Sequence, residues 1–189
     1  DGEGGLVWTK QRSGGATHSL LDTLRGGNNY LETNTSSAQQ TASNTLQFNS
    51  NGHTLPNPYG MNNTNGATYA SWTFRKAPKF FDVLTYTGDG TNQRQIAHNL
   101  GSTPGFITIK TTSSASNWWV AHRGNGTTMY ESSTSWASVG LNSTAALPSG
   151  SYPGPLGTSE YFQPTWNGGT ANVNVSGQTY VAYLFAHDA

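Results

Sequence analysis

Part of this chain is written twice, and that repeat limits its folding options more than any other feature. Gly5-Leu6-Val7-Trp8-Thr9-Lys10 matches Gly105-Phe106-Ile107-Thr108-Ile109-Lys110, and Leu24-Arg25-Gly26 matches His122-Arg123-Gly124. Leu31-Glu32 then matches Tyr130-Glu131, and the run Asn65 to Phe74 matches Ser176 to Phe185. The offsets are 100, 98, 99 and 111 residues. Four blocks in the same order with one late jump are what a duplication with a longer loop in its second copy leaves behind. The chain therefore divides into a first β repeat over 1–78, a connecting hairpin segment over 79–104, and a second β repeat over 105–189. An insertion rich in Pro, Gly, Tyr and Trp falls at about 145–174.

The repeated blocks alternate apolar and polar residues with period two. Gly5 to Lys10, Thr68 to Phe74, Phe80 to Tyr86, Phe106 to Lys110 and Thr179 to Phe185 are short, rich in β-branched and aromatic residues, and bounded by Gly, Pro, Asn or Ser. These are strand signals. No dozen residues keep a helical apolar period, and Ala38 to Ser43 is a polar half-turn at best. In Lys79 to Pro104 the Gly88-Asp89-Gly90 stretch predicts a tight hairpin between two strands, since glycine tolerates positive φ. The expected class is all-β: an antiparallel β-sandwich of two tandem related subdomains with long polar loops. Six Trp, nine Tyr and seven Phe supply the core that a disordered chain would lack.

Charge then narrows the partners. Nine basic and nine acidic residues cancel, and charged residues are only 10% of the 189. Without a basic excess the counterion release that drives nucleic-acid binding has no source, and an anionic membrane surface attracts nothing. The absence of cysteine excludes disulfides, thiolate zinc sites and cysteine nucleophiles. No apolar run is long enough for a transmembrane helix.

Around the repeat the chain reads strand, His98-Asn99-Leu100-Gly101, then Pro104-Gly105, an apolar strand ending in Lys110, and Arg123-Gly124. The first copy carries Leu6, Val7, Trp8, Lys10, Arg12, Asp22, Leu24, Arg25, Gly26, Gly52, Thr54, Leu55, Gly66, Thr68, Tyr69 and Trp72 in the corresponding places. This pattern resembles a repeat domain of tailed-phage virion proteins, often tail fibres of marine phages, over nearly the whole chain. The first copy lacks the hairpin and His-Asn-Leu-Gly segment, and the second lacks the Gly-x-Thr-Leu seen at Gly52 to Leu55. The resemblance implies a protein of the virion surface, folded in the host cytoplasm and working outside the cell beside other virion proteins. It also implies a homo-oligomer, with a trimer favoured.

No standard catalytic constellation is present. There is no Gly-x-Ser-x-Gly elbow, no His-Glu-x-x-His, no phosphate loop and no paired metal spacing among His18, His53, His98, His122 and His187. Glu32 and Glu131 occupy equivalent repeat positions, so they would sit in different subdomains and not across one sugar. Each is expected to pair with its own Arg25 or Arg123. No enzyme activity, metal or cofactor is expected.

Aromatics divide by position. Trp8, Trp72, Phe74, Tyr183 and Phe185 alternate on strands and are expected in the core. Trp118 and Trp119 take the places of Leu20 and Leu21, one pointing inward and the other outward. Trp136, Trp166, Tyr152 and Tyr161 lie among Gly, Ser and Pro and are the candidate glycan-stacking residues. Rigid rings among neutral amides and hydroxyls suit a neutral polar target. The sequence thus predicts a tail-fibre or receptor-binding domain for a host-surface glycan; the alternative is a head decoration or purely structural protein whose aromatics join subunits.

Overall fold

The computed structural model describes residues 4–43, 45–56, 62–91, 94–122, 141–144, 157–164 and 173–187. These contain no helix, and so none that is long and apolar enough to cross a membrane. In chain order the strands are β1 (Gly5–Gln11), β2 (Ser19–Asp22), β3 (Asn29–Tyr30), β4 (Gln40–Thr41), β5 (Gln47–Asn49), β6 (Gly52–Thr54) and β7 (Tyr69–Arg75). They continue with β8 (Phe81–Thr87), β9 (Ile96–Ala97), β10 (Pro104–Thr111), β11 (Trp119–His122), β12 (Tyr161–Phe162) and β13 (Thr179–Ala186). A three-stranded sheet has the order β2-β1-β7, and a four-stranded sheet the order β11-β10-β13-β8. Every pairing in both is antiparallel. The class is all-β, and the two sheets pack as a sandwich.

Period-two alternation decides what lies between them. Leu6, Leu20 and Leu31, with Trp8 and Phe74, pack from the first sheet side onto Phe81, Val83, Val181 and Tyr183. The other face of the first sheet, Val7 and Leu21, is covered by Leu46, Phe48 and Leu55 around the β5–β6 hairpin. Beyond the second sheet, Ile107, Ile109, Tyr180, Ala182 and Leu184 bury Ile96, Leu100, Phe162 and Val173, with the β9–β12 ribbon on top. Four layers thus enclose three apolar cores, and β10 is covered on both faces. That double burial forces Lys110 inside, where its Nζ donates to Ser116 O at 2.7 Å and Ser36 O at 3.2 Å.

The two sheets make the same contacts at corresponding residues. Leu6 pairs with Asp22 and Phe74; Phe106 pairs with His122 and Phe185. Lys10 Nζ donates to Ala16 O as Lys110 Nζ does to Ser116 O. The Tyr69 and Tyr180 hydroxyls accept from the backbone of Thr64 and Val175, in turns closed by Gly66 and Gly177 at φ 77° and 80°. In this register Val120 and Ala121 stand where Leu20 and Leu21 do. Trp119 matches Ser19, and Trp118 matches His18, so the tryptophan pair does not take the two leucine places.

Three further expectations are corrected. Gly88-Asp89-Gly90 does not close a hairpin, because β8 pairs with β13 and β9 with β12. The seven residues of β8 need a backbone partner along their length, which the eight-residue β13 supplies and the two-residue β9 cannot. Ala38 to Ser43 is no half-turn; Gln40 and Thr41 form β4 against β3. Trp72 is 47% exposed, since β7 is the outer strand of its sheet.

Candidate functional site

Of the four expected stacking residues, Trp136, Tyr152 and Trp166 lie outside the described residues. Tyr161 is half-buried on β12 opposite Ala97, its amide donating to Thr158 Oγ1.

The described surface carries an open cleft of about 780 Å3 beside the first sheet. Its floor is Gly5 and Val7 of β1 with Thr73 of β7, and its wall is Phe48 and the turn Asn49-Ser50-Asn51-Gly52 that joins β5 to β6. Thr23, Leu24 and Arg75 form the rim, and Leu24 is 53% exposed. The floor lies low because Gly5 lets two strands approach: a Cβ there would stand 2.2 Å from the Phe74 carbonyl oxygen. The wall is held by the β5–β6 ladder and by Asn49 Nδ2 donating to Thr54 Oγ1 at 2.9 Å.

Among the described residues the cleft offers the half-buried Phe48 and Phe74, exposed amides and hydroxyls, and one charge, on Arg75. No carboxylate among the described residues lines it. Phe48 and the Asn49 to Asn51 turn suit the face and hydroxyls of a neutral sugar. Sequence reading missed these residues because β5 and β6 are short and polar. The Asn51-Gly52 dipeptide beside Phe48 was the turn signal that marks them.

Several ionisable groups elsewhere are occupied within the fold. Asp22 Oδ2 accepts from Arg25 Nε at 2.6 Å and from the Tyr183 hydroxyl at 2.7 Å, all deep in the inter-sheet core. Burial pushes the Tyr183 phenol well above its ordinary range, so it stays a donor. Glu32 does not meet Arg25; it accepts from Thr17 and Thr35, because Asp22 lies three residues from Arg25 and takes the guanidinium first. Arg123 and Glu131 lie outside the described residues.

The His-Asn-Leu-Gly segment acts as a clasp. His98 Nδ1 accepts from Leu100 N, Asn99 N donates to buried Asp82 at 2.7 Å, and Lys76 completes that carboxylate at 3.0 Å. Burial lowers the His98 pKa. Asp89 is held near pKa 2, chiefly by the backbone and hydroxyl of Thr91 and by Asn174, with Arg94 beside it. Among the described residues no three His, Asp or Glu side chains converge as metal ligands.

Residues 3–189 match the family model described as a domain of unknown function, DUF7483. No curated protein and no solved structure matches the chain.

Proposed function

We propose, for a chain that belongs to the DUF7483 family, a non-catalytic recognition domain of a tailed-phage virion surface, such as a tail fibre, that binds a neutral host-surface glycan. One observation carries the binding step: a cleft walled by Phe48 and an Asn49-Ser50-Asn51 turn, with no carboxylate among the described residues that line it. The phage setting comes from the motif resemblance around His98 to Gly101 and the doubled Lys10 and Lys110 blocks. In this reading the ring of Phe48 stacks on the apolar face of a sugar, and the side chains of Asn49 to Asn51 orient its hydroxyls. Trp136, Trp166, Tyr152 and Tyr161 remain a second set of candidate stacking residues, read from the sequence.

A glycan array on the purified chain, followed by calorimetry on any hit, tests the proposal. Phe48→Ala and Asn51→Ala are expected to weaken a hit by about tenfold each, the worth of one stacking or hydrogen-bond contact of roughly 1.4 kcal/mol. Loss confined to Trp136→Ala or Trp166→Ala would move the site to those residues. An array without a hit would remove the recognition role. New reducing ends from host polysaccharide would overturn the non-catalytic reading.

A second reading, a head decoration or fibre segment that binds nothing and only assembles, is favoured by a different observation: the outer strand of the first sheet is left open.

A further inference from the structure

We infer that β7 is a self-association edge, through which a second copy of this chain joins antiparallel to the three-stranded sheet. The inference is independent of whether the cleft binds a ligand.

The backbone supplies the first argument. Arg12 N donates to Thr68 O and Lys76 N to Gly4 O, so the even residues of β7 bond β1 and the odd ones face away from it. Among the described residues no backbone partner meets Ser71 or Thr73 on that outer side, and both are exposed. In the second sheet the corresponding residues are Ala182 and Leu184, and these pair with Leu84 and Asp82 of β8. The first sheet is therefore one strand short at the place where the second sheet is complete.

Two of the other outer strands, β8 and β2, are closed from within. On β8, Phe81 exchanges both backbone bonds with Ala77, the Val83 amide is taken by the Asp82 carboxylate, and Arg94 donates to Thr87 O. On β2, Leu20 exchanges both bonds with Leu31, and Asp22 O accepts from Gly26. β7 is weakly guarded: from Tyr69 to Arg75 there is no proline, no lysine and no bulge, and the one charge, Arg75, stands at its end. Two of the large exposed apolar side chains flank it, Trp72 at 47% and Phe80 at 48%, with the Phe80 ring 6.5 Å from that of Phe74.

The sequence of β7 favours its own copy as the occupant. Centred on Trp72, an antiparallel twofold pairing sets Trp72 against the partner's Trp72, Ser71 against the partner's Thr73, and Arg75 against the partner's Tyr69. Ser71 and Thr73 then exchange their outward bonds. The tryptophans cover one another, and no two like charges face across the seam. A twofold also closes on itself, whereas the fibre resemblance would favour a trimer.

Light scattering over rising concentrations of the purified chain tests this, with Ser71→Pro and Trp72→Lys as variants. Proline removes an outward amide on an outer strand, where it is tolerated, and lysine would place two ammonium groups face to face at the twofold. The wild type is expected to double in mass, and both variants to stay monomeric with an unchanged far-ultraviolet circular dichroism spectrum. If the proline variant fails to fold, the lysine variant decides. A wild type that stays monomeric, a trimer, or a dimer indifferent to both changes would overturn the inference. So would a monomer that binds a synthetic peptide of β8, since the edge would then belong to a different strand.

Discussion

The Tyr183 hydroxyl donates to Asp22 Oδ2 at 2.7 Å, although 161 residues separate the two, and Arg25 binds both partners. One buried carboxylate on β2 thus fastens the first sheet to the second. Tyr183→Phe is expected to cost about 1.5–3 kcal/mol, as for a lost hydrogen bond to a charged group. Asp22→Ala should cost more, about 3–5 kcal/mol, because it strands the Arg25 cation inside the core. Urea unfolding of both variants checks the ranking, and an equal cost would contradict it.

Burial pushes the Lys110 ammonium down to about 8, against 10.5 for a free lysine. Between those values the unfolded chain binds more protons than the folded one, so stability rises with pH from about 8 upward. The window to use lies below 10, where tyrosines of the unfolded chain begin to ionise. Lys110→Met is expected to abolish the slope while preserving the fold, since the aliphatic stem already fills its place. Thermal melts at stepped pH compare the two, and an unchanged slope would assign the titration to another group.

Glycine is not interchangeable across this chain. Gly5→Ala would drive a methyl group into the Phe74 carbonyl and separate β1 from β7, at a cost of about 3 kcal/mol. Gly15→Ala meets nothing within 4 Å and should be neutral or stabilising by up to about 1 kcal/mol. Denaturation midpoints for the pair test the contrast. A tolerated Gly5→Ala would show that the two strands can part.

Two tryptophans of similar standing in the sequence should behave oppositely. Trp118 is fully buried, stacked on Tyr183, with its Nε1 donating to Glu32 O at 2.8 Å. Trp118→Ala is expected to cost about 3–5 kcal/mol. Trp72 touches Trp8 at 5.6 Å on the open edge, and Trp72→Ala should cost about 1 kcal/mol. Calorimetric melting of both variants at low concentration, where no dimer contributes, makes the comparison.

Local alternation was enough to find β1, β7, β8, β10 and β13, because each carries several branched or aromatic residues at period two. Pairing was harder to read. Asp89 and its glycines look like a hairpin turn in isolation, yet the Asp89 carboxylate binds Asn174, which comes 85 residues later. The exposure of Trp72 was hidden for a related reason: an outer strand and a central strand share one alternation, and only the missing neighbour tells them apart. Arg25 shows the limit of repeat arithmetic, since Glu32 matched by position while Asp22 was closer in space. The cleft was least visible of all, being built from polar residues with no periodicity beyond one Asn-Gly turn.

The core shared by Leu6, Leu20 and Leu31 with Phe81, Val83 and Tyr183 has a consequence for how the chain comes apart. Each half buries this face of its sheet only against the other, so a single protease nick in Lys76 to Phe80 should leave two fragments that stay associated and reassemble after separation. Neither fragment should fold alone. The two fragments would then behave as complementing pieces of one folding unit, lost or recovered together.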